Sequence, residues 1–188
     1  YIMTDRNLIY SNEHNMYSEK VIYLPNIWNC HSGFPGQRKK NNAPIEKKAF
    51  ITFGSFNNFK KINDDVIKAW SQILLKVKNS KLILKASTNS SSYFLLNKFK
   101  NYGVDSSVNI IPYKKEFSDH INEYKKIDLA LDTFPYNGVT TSFEAIWMGV
   151  PILTMNGHNF NSRCGVSINK NLGMNSLIAE NIEDYVLK

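Results

Sequence analysis

The chain has 188 residues, 43% of them hydrophobic and 13% aromatic, which suits a folded domain with a sizeable core and excludes a disordered tail. Its formal charge of +7 comes mostly from lysines scattered as pairs, with three arginines (Arg6, Arg38 and Arg163), so an acidic small molecule is the expected ligand and nucleic acid is set aside. Cys30 and Cys164 form neither a disulfide framework nor a metal-ligand spacing, and the longest apolar run, Phe143 to Met155, is too short to span a bilayer; the expected setting is cytoplasmic, with no membrane partner.

Along the chain, YSEKVIYLPNIW predicts a helix from Tyr17 to Val21 and an apolar stretch to Trp28, followed by the linker HSGFPGQRKKNNAP. Residues 1–47 therefore read as the tail of another lobe plus a connection, and residues 48–188 as an α/β domain. Within it, AFITFGS (Ala49–Ser55) predicts a strand. Residues 64–77 carry apolar side chains at 66, 67, 70, 73, 74 and 77, the period of a helix, with Asn63 as its cap. KLILKA, VNIIPY, DLALDTF and PILTM predict four more strands. Between them lie a helix stopped by Gly103, a short one opened by Ser118 and one ended by Gly149, with further helices around 162–172 and 182–187. Five strand–helix repeats with continuously apolar strands imply a Rossmann-like, doubly wound parallel sheet with helices on both faces. Ligands of such sheets bind beyond the carboxyl ends of the strands.

Three loops at that edge carry chemistry. In GSFNNFKKIN, Gly54 is expected to allow a tight turn, Asn57 and Asn58 offer amide donors, and Lys60 and Lys61 precede a helix, as phosphate partners or as solvated lysines beside a capped turn. In PYKKEFSDHINEY, His120 is either a capping residue or a ring that stacks on a nucleobase. In LDTFPYNGVTTSFEAIWMGVP, Pro135 fixes a turn and Asn137–Gly138 are expected to reach positive φ. Thr140, Thr141 and Ser142 start a helix whose free N–H groups and hydroxyls either grip a diphosphate or merely cap. Glu144 accepts from a ribose hydroxyl or favours the helix dipole. All three loops open on one edge, which strengthens the joint reading of a bound nucleotide.

FGSFNNFKKIN, LDTFPYNGVTTSFEAIWMGVPILTM and SRCGVSINKNLGM closely resemble the carboxyl-terminal catalytic lobe of glycosyltransferase family 41, which holds the protein O-linked N-acetylglucosamine transferases and the SPINDLY proteins. YIMTDRNLIYSNEHNMYSEKVIYLP resembles the tail of the family's amino-terminal lobe, so nearly the whole chain is covered. The resemblance implies the donor-binding lobe of a two-lobed GT-B enzyme, inverting and metal-independent, using no cofactor beyond a UDP- or GDP-sugar donor. It also implies a protein acceptor held through upstream tetratricopeptide repeats. By motif, Lys61 matches the lysine that neutralises the departing diphosphate, and Asn58 a polar position near the phosphates. His120 matches the histidine stacked on the base, Thr140 and Thr141 the phosphate-binding threonine pair beside Asn137–Gly138, and Glu144 an acid on the ribose.

Three positions depart from the animal enzymes. Val139 replaces a histidine, Phe117 a lysine, and Asn58 a glutamine. The expected donor is UDP-N-acetylglucosamine, with transfer to serine or threonine. A GDP-sugar of the fucose type, as in plant SPINDLY proteins, and a non-catalytic nucleotide-binding scaffold are the alternatives. The family's acceptor-side histidines lie upstream of Tyr1, so the chain alone is expected to bind a nucleoside diphosphate weakly and to transfer no sugar.

Overall fold

The computed structural model describes residues 1–34 and 42–188; half of the expected linker, 35–41, lies outside the described residues. Strands β1 (Ile2–Thr4) and β2 (Val21–Tyr23) pair in parallel as a small separate sheet. Where a helix was expected from Tyr17 to Val21, the chain runs irregularly to Lys20 and Val21 enters β2. The β-branched Val21 and Ile22 find strand partners in Ile2 and Met3, and pairing overrides any local helical tendency. The helical turn of this region lies earlier, a 3-10 helix at Ser11–Met16.

The main sheet is six-stranded and wholly parallel. It contains β3 (Thr52–Ser55), β4 (Lys81–Ala86), β5 (Val108–Pro112), β6 (Leu129–Leu131), β7 (Ile152–Met155) and β8 (Ile178–Ala179), in the order β5-β4-β3-β6-β7-β8. The chain winds outward from β3 to one edge, returns to β6 and winds to the other, so β3 and β6 flank the switch point, as the doubly wound reading requires. β8, only two residues long, carries too little pattern to have been read from sequence.

Alternation along the strands builds three layers. Phe53, Leu82, Leu84, Leu131 and Leu153 face one core with Val66, Ile67, Trp70 and Leu74 of α1 (Asp64–Lys76), Leu95 and Phe99 of α2 (Asn89–Lys100), and Tyr185 of α6 (Ile182–Leu187). Ile83, Ala130 and Ile152 face the other, with Ala145 and Met148 at α4 (Thr140–Trp147) and Tyr124 just after α3 (Phe117–Glu123). Each such large side chain withdrawn from water stabilises the fold by about 1.5–3 kcal/mol. Asn63 caps α1 as expected, accepting from Val66 N at 2.9 Å. Glu116, not Ser118, precedes α3. Gly54 lies inside β3 rather than in a turn: a Cβ there would stand 2.1 Å from Ile127 Cδ1, so the position demands a bare backbone against that side chain.

Residues 1–28 are fastened to the sheet through α5 (Cys164–Asn171) and the residue before it. Arg163 forms a bidentate pair with Glu13 at 2.6 and 2.7 Å, stacks its guanidinium 4.0 Å over Tyr10, and donates to Leu8 O and Gly157 O. The guanidinium holds the Glu13 carboxyl below its usual range. Asp5, itself buried, accepts from Ser167 Oγ, Asn7 N and Trp28 N. Removing one member of a buried, hydrogen-bonded pair strands the other, so Arg163→Met should lower stability by about 3 kcal/mol in urea unfolding and open residues 10–34 to proteolysis. Lys98→Met, at the exposed pair with Asp64, should change stability by less than about 1 kcal/mol.

Candidate functional site

The site grows from Asp132, the residue after β6. Oδ1 accepts from Thr133 N at 2.9 Å and Gly138 N at 2.7 Å, with Asn57 Nδ2 at 3.4 Å; Oδ2 accepts from Thr154 Oγ1 at 2.8 Å. This folds residues 132–138 into a closed loop under α4. The Phe134–Pro135 peptide is cis. Neither Asn137 nor Gly138 adopts the expected positive φ. Gly138 is required for space instead: a Cβ would meet Ser142 Oγ and Thr141 Oγ1 at 2.7 Å. Burial raises the Asp132 carboxyl to about 6, against the lowering effect of its donors and of Lys61.

Asn137 is fully buried and serves the loop with every group it has. Its amide donates to Thr133 O, its Oδ1 accepts from Gly165 N, and its carbonyl accepts from Lys61 Nζ at 2.8 Å. Lys61 comes from the 3-10 turn Phe59–Lys61 after β3, and its ammonium also lies 4.2 Å over the Tyr136 ring. Desolvation lowers its pKa, with Asp132 pulling the other way. Asn58 is exposed and caps that turn, accepting from Lys60 N at 3.1 Å.

Helix α4 begins at Thr140 after Val139, and no side chain caps it. Of the two readings of these hydroxyls, capping does not hold: Thr141 Oγ1 donates to Asn57 Oδ1 at 2.7 Å, tying α4 to the loop after β3, and Thr140 is exposed. Ser142 N bonds back to Val139 O, which leaves the N–H groups of Thr140 and Thr141 as the open positive end of the helix. Val139 turns into an apolar cluster with Leu8, Ile9 and Cys164.

His120 and Glu144, expected at the base and the ribose, hold each other. His120 Nε2 lies 2.8 Å from Glu144 Oε2, and Lys85 Nζ lies 3.4 Å from Nδ1. With Nδ1 accepting, the ring hydrogen sits on Nε2 and points at the carboxylate. Tyr124 OH donates to the same oxygen at 2.9 Å, and burial together with that carboxylate pushes its pKa well up. Both His120 and Glu144 are buried, the imidazole among Phe56, Phe117 and Tyr124. Phe117 stacks on Phe34 from the described start of the linker.

All three sequence-marked loops thus meet at the carboxyl edge of β3, β5 and β6, joined by the Lys61–Asn137, Asn57–Thr141 and His120–Glu144 bonds. Sequence reasoning missed Asp132 as the hub and Lys85 and Tyr124 as partners of the His120–Glu144 pair. An acid ending an apolar strand was the one signal available for Asp132.

The model of glycosyltransferase family 41 matches residues 37–187. The chain belongs to this family. It is 38% identical over 172 residues to the probable UDP-N-acetylglucosamine–peptide N-acetylglucosaminyltransferase SPINDLY of Eustoma exaltatum subsp. russellianum, covering 89% of this chain and 19% of that protein. It is 36% identical over 190 residues to the tomato (Solanum lycopersicum) protein of the same name, covering 99% and 20%. A mutant Thermobaculum terrenum O-GlcNAc transferase superposes with a TM-score of 0.86 at 30% identity, over 99% of this chain and 36% of that one. The family-41 chain thus has the Rossmann-like lobe of a GT-B glycosyltransferase and spans about a fifth of the length of the curated relatives it matches.

Burial of Asp132 sets a pH signature. Its folded carboxyl, raised from 3.8 to about 6, holds a proton more tightly than the unfolded chain does, so its contribution to stability falls as pH rises through that window. Asp132→Asn removes the titration. Between pH 4 and 7 the parent should lose roughly 2 kcal/mol relative to this variant in urea unfolding, and parallel curves would contradict the assignment.

Proposed function

We propose that the chain is the nucleotide-sugar-binding lobe of an inverting protein O-glycosyltransferase. In that reaction the hydroxyl of an acceptor serine or threonine attacks the anomeric carbon while a nucleoside diphosphate leaves. The observation that carries this reading is the convergence of Lys61, the open first turn of α4 and the His120–Glu144 pair on one edge of the sheet. Lys61 exchanges the neutral Asn137 carbonyl for a phosphate oxygen, a stronger partner for a partly desolvated ammonium. The N–H groups and hydroxyls of Thr140 and Thr141 hold the other side of the diphosphate, with Asn137 and Gly138 shaping the loop beneath and Asn58 at its rim. Glu144 Oε1, which has no hydrogen-bond partner among the described residues, is left for a ribose hydroxyl, and His120 borders the base.

Catalysis in this reading is electrostatic: fixed positive groups stabilise the charge that develops on the leaving diphosphate, and no metal is invoked. Linkage to the names of the relatives makes UDP-N-acetylglucosamine the leading donor. A GDP-sugar is the second reading, favoured by Val139 and Phe117, whose apolar packing gives no donor where the animal enzymes have a basic side chain. In this reading a separate protein acceptor is held by tetratricopeptide repeats outside the present chain.

Calorimetric titration with UDP, GDP and the free nucleosides tests the assignment. Lys61→Ala should weaken both diphosphates by about 10- to 100-fold, the loss of one charge-assisted bond, and leave nucleosides within about twofold. Equal losses on nucleoside and diphosphate would remove Lys61 from the phosphate site.

A further inference from the structure

A cleft of about 270 Å³ opens beside this site, lined among others by Phe56, Asn57 and Phe59 from the loop after β3, Lys85 from β4 and Tyr113 from the end of β5. Lys61, Thr140 and Glu144 are not among its walls. Asn57 forms the border, since its Oδ1 accepts from Thr141 on the diphosphate side.

Lys85 is the unexplained residue of that cleft. It is half-buried, and burial pulls its pKa down against the opposing charge of Glu144. No carboxylate among the described residues pairs with it. Its nitrogen has a 3.4 Å approach to His120 Nδ1 and lies 5.4 Å from the Tyr113 ring centroid. An ammonium has three donors and no acceptor, so a partly desolvated one with a single long hydrogen bond has donors left for a ligand oxygen in place of water. Phe56, Phe59 and Tyr113 add apolar and π surface, which favours a flat ring over a second phosphate.

We propose that Lys85 selects the base of the bound nucleotide by donating to an exocyclic carbonyl oxygen, so that uracil and guanine are preferred over cytosine and adenine. The inference rests on the nucleotide-sugar reading above. The deciding atoms are O4 of uracil and O6 of guanine. In cytosine and adenine an amino group takes that place, so an N–H faces the ammonium and the cation is left unpaired. Aimed at the base edge, Lys85 also keeps His120 turned toward Glu144, coupling base choice to the ribose side of the site.

The test is calorimetric titration of the full chain with UDP, CDP, GDP and ADP, for the parent and for Lys85→Met, which keeps the aliphatic stem. The parent should bind UDP over CDP, or GDP over ADP, by about tenfold or more. Lys85→Met should bring the ratio to within about twofold by weakening the keto member, and Lys85→Arg should retain a preference. A folded Lys85→Met that weakens all four by one factor would move the residue to the phosphates and overturn the proposal. So would a parent with no keto preference, a comparison that needs no variant. Binding of none of the four would defeat the nucleotide reading itself, and the Lys85 assignment with it.

Discussion

The carboxylate of Asp132 is the constraint on which the rest of the site depends. Its acceptor sites are filled by groups from four places: the loop after β3, its own turn, the entry to α4, and β7. Its backbone is held from the opposite core, where the Tyr185 hydroxyl donates to Asp132 O at 2.9 Å and lies 3.4 Å from the indole nitrogen of Trp70. A polar chain therefore runs from α1 through α6 to the edge of the sheet. It places the amino terminus of α4 relative to Lys61 without either touching the core directly. A buried carboxylate is an expensive way to do this, and the raised proton affinity of Asp132 records the expense. An ionised oxygen, however, accepts several converging N–H and O–H groups at once, which no apolar residue of that size does.

The same geometry explains why the charged groups of the site stay reactive. Lys61 and Lys85 are both partly desolvated, and neither forms an ion pair among the described residues. Each lies against a partner other than a carboxylate, Asn137 O in one case and His120 Nδ1 in the other. Carboxylates at those places would satisfy the ammonium groups fully and make the exchange for a ligand oxygen unfavourable. Glu144, buried beside them, is instead occupied through one oxygen by His120 and Tyr124.

Much of this was legible in the sequence because it is local. The helix period of residues 64–77, the Asn63 cap and the KLILKA strand are short-range patterns, and the structure follows them closely. The three loops were found because strand ends can be located and their residue types are chemically suggestive. What failed depends on long-range pairing. Val21 joins a strand through Ile2, Gly54 is a packing glycine because Ile127 lies across from it, and Gly138 is crowded by side chains of the next helix. The threonine hydroxyls were read either as a diphosphate grip or as caps, which is what their positions allow locally, whereas Thr141 is spent on Asn57, eighty-four residues away. Lys85 could not be singled out, since a lysine near the end of a strand carries no signal until His120 and Tyr113 are placed beside it.

Helix α5 joins the two ends of this network. At its start Arg163 grips Glu13, and Ser167 donates to Asp5, so residues 1–28 are anchored there. Between Arg163 and Ser167, Gly165 N donates to Asn137 Oδ1, and Asn137 O is the acceptor that holds Lys61. A Cβ at Gly165 would stand 2.1 Å from Thr154 Oγ1 and 2.7 Å from Asp132 Oδ2, so this helix approaches the hub as closely as backbone allows. Any shift of residues 1–28 against the sheet is therefore transmitted through one short helix to the loop that positions Lys61. Packed contacts of this kind move as units rather than deform gradually, so the anchoring of the amino-terminal segment and the placement of Lys61 form one mechanical problem.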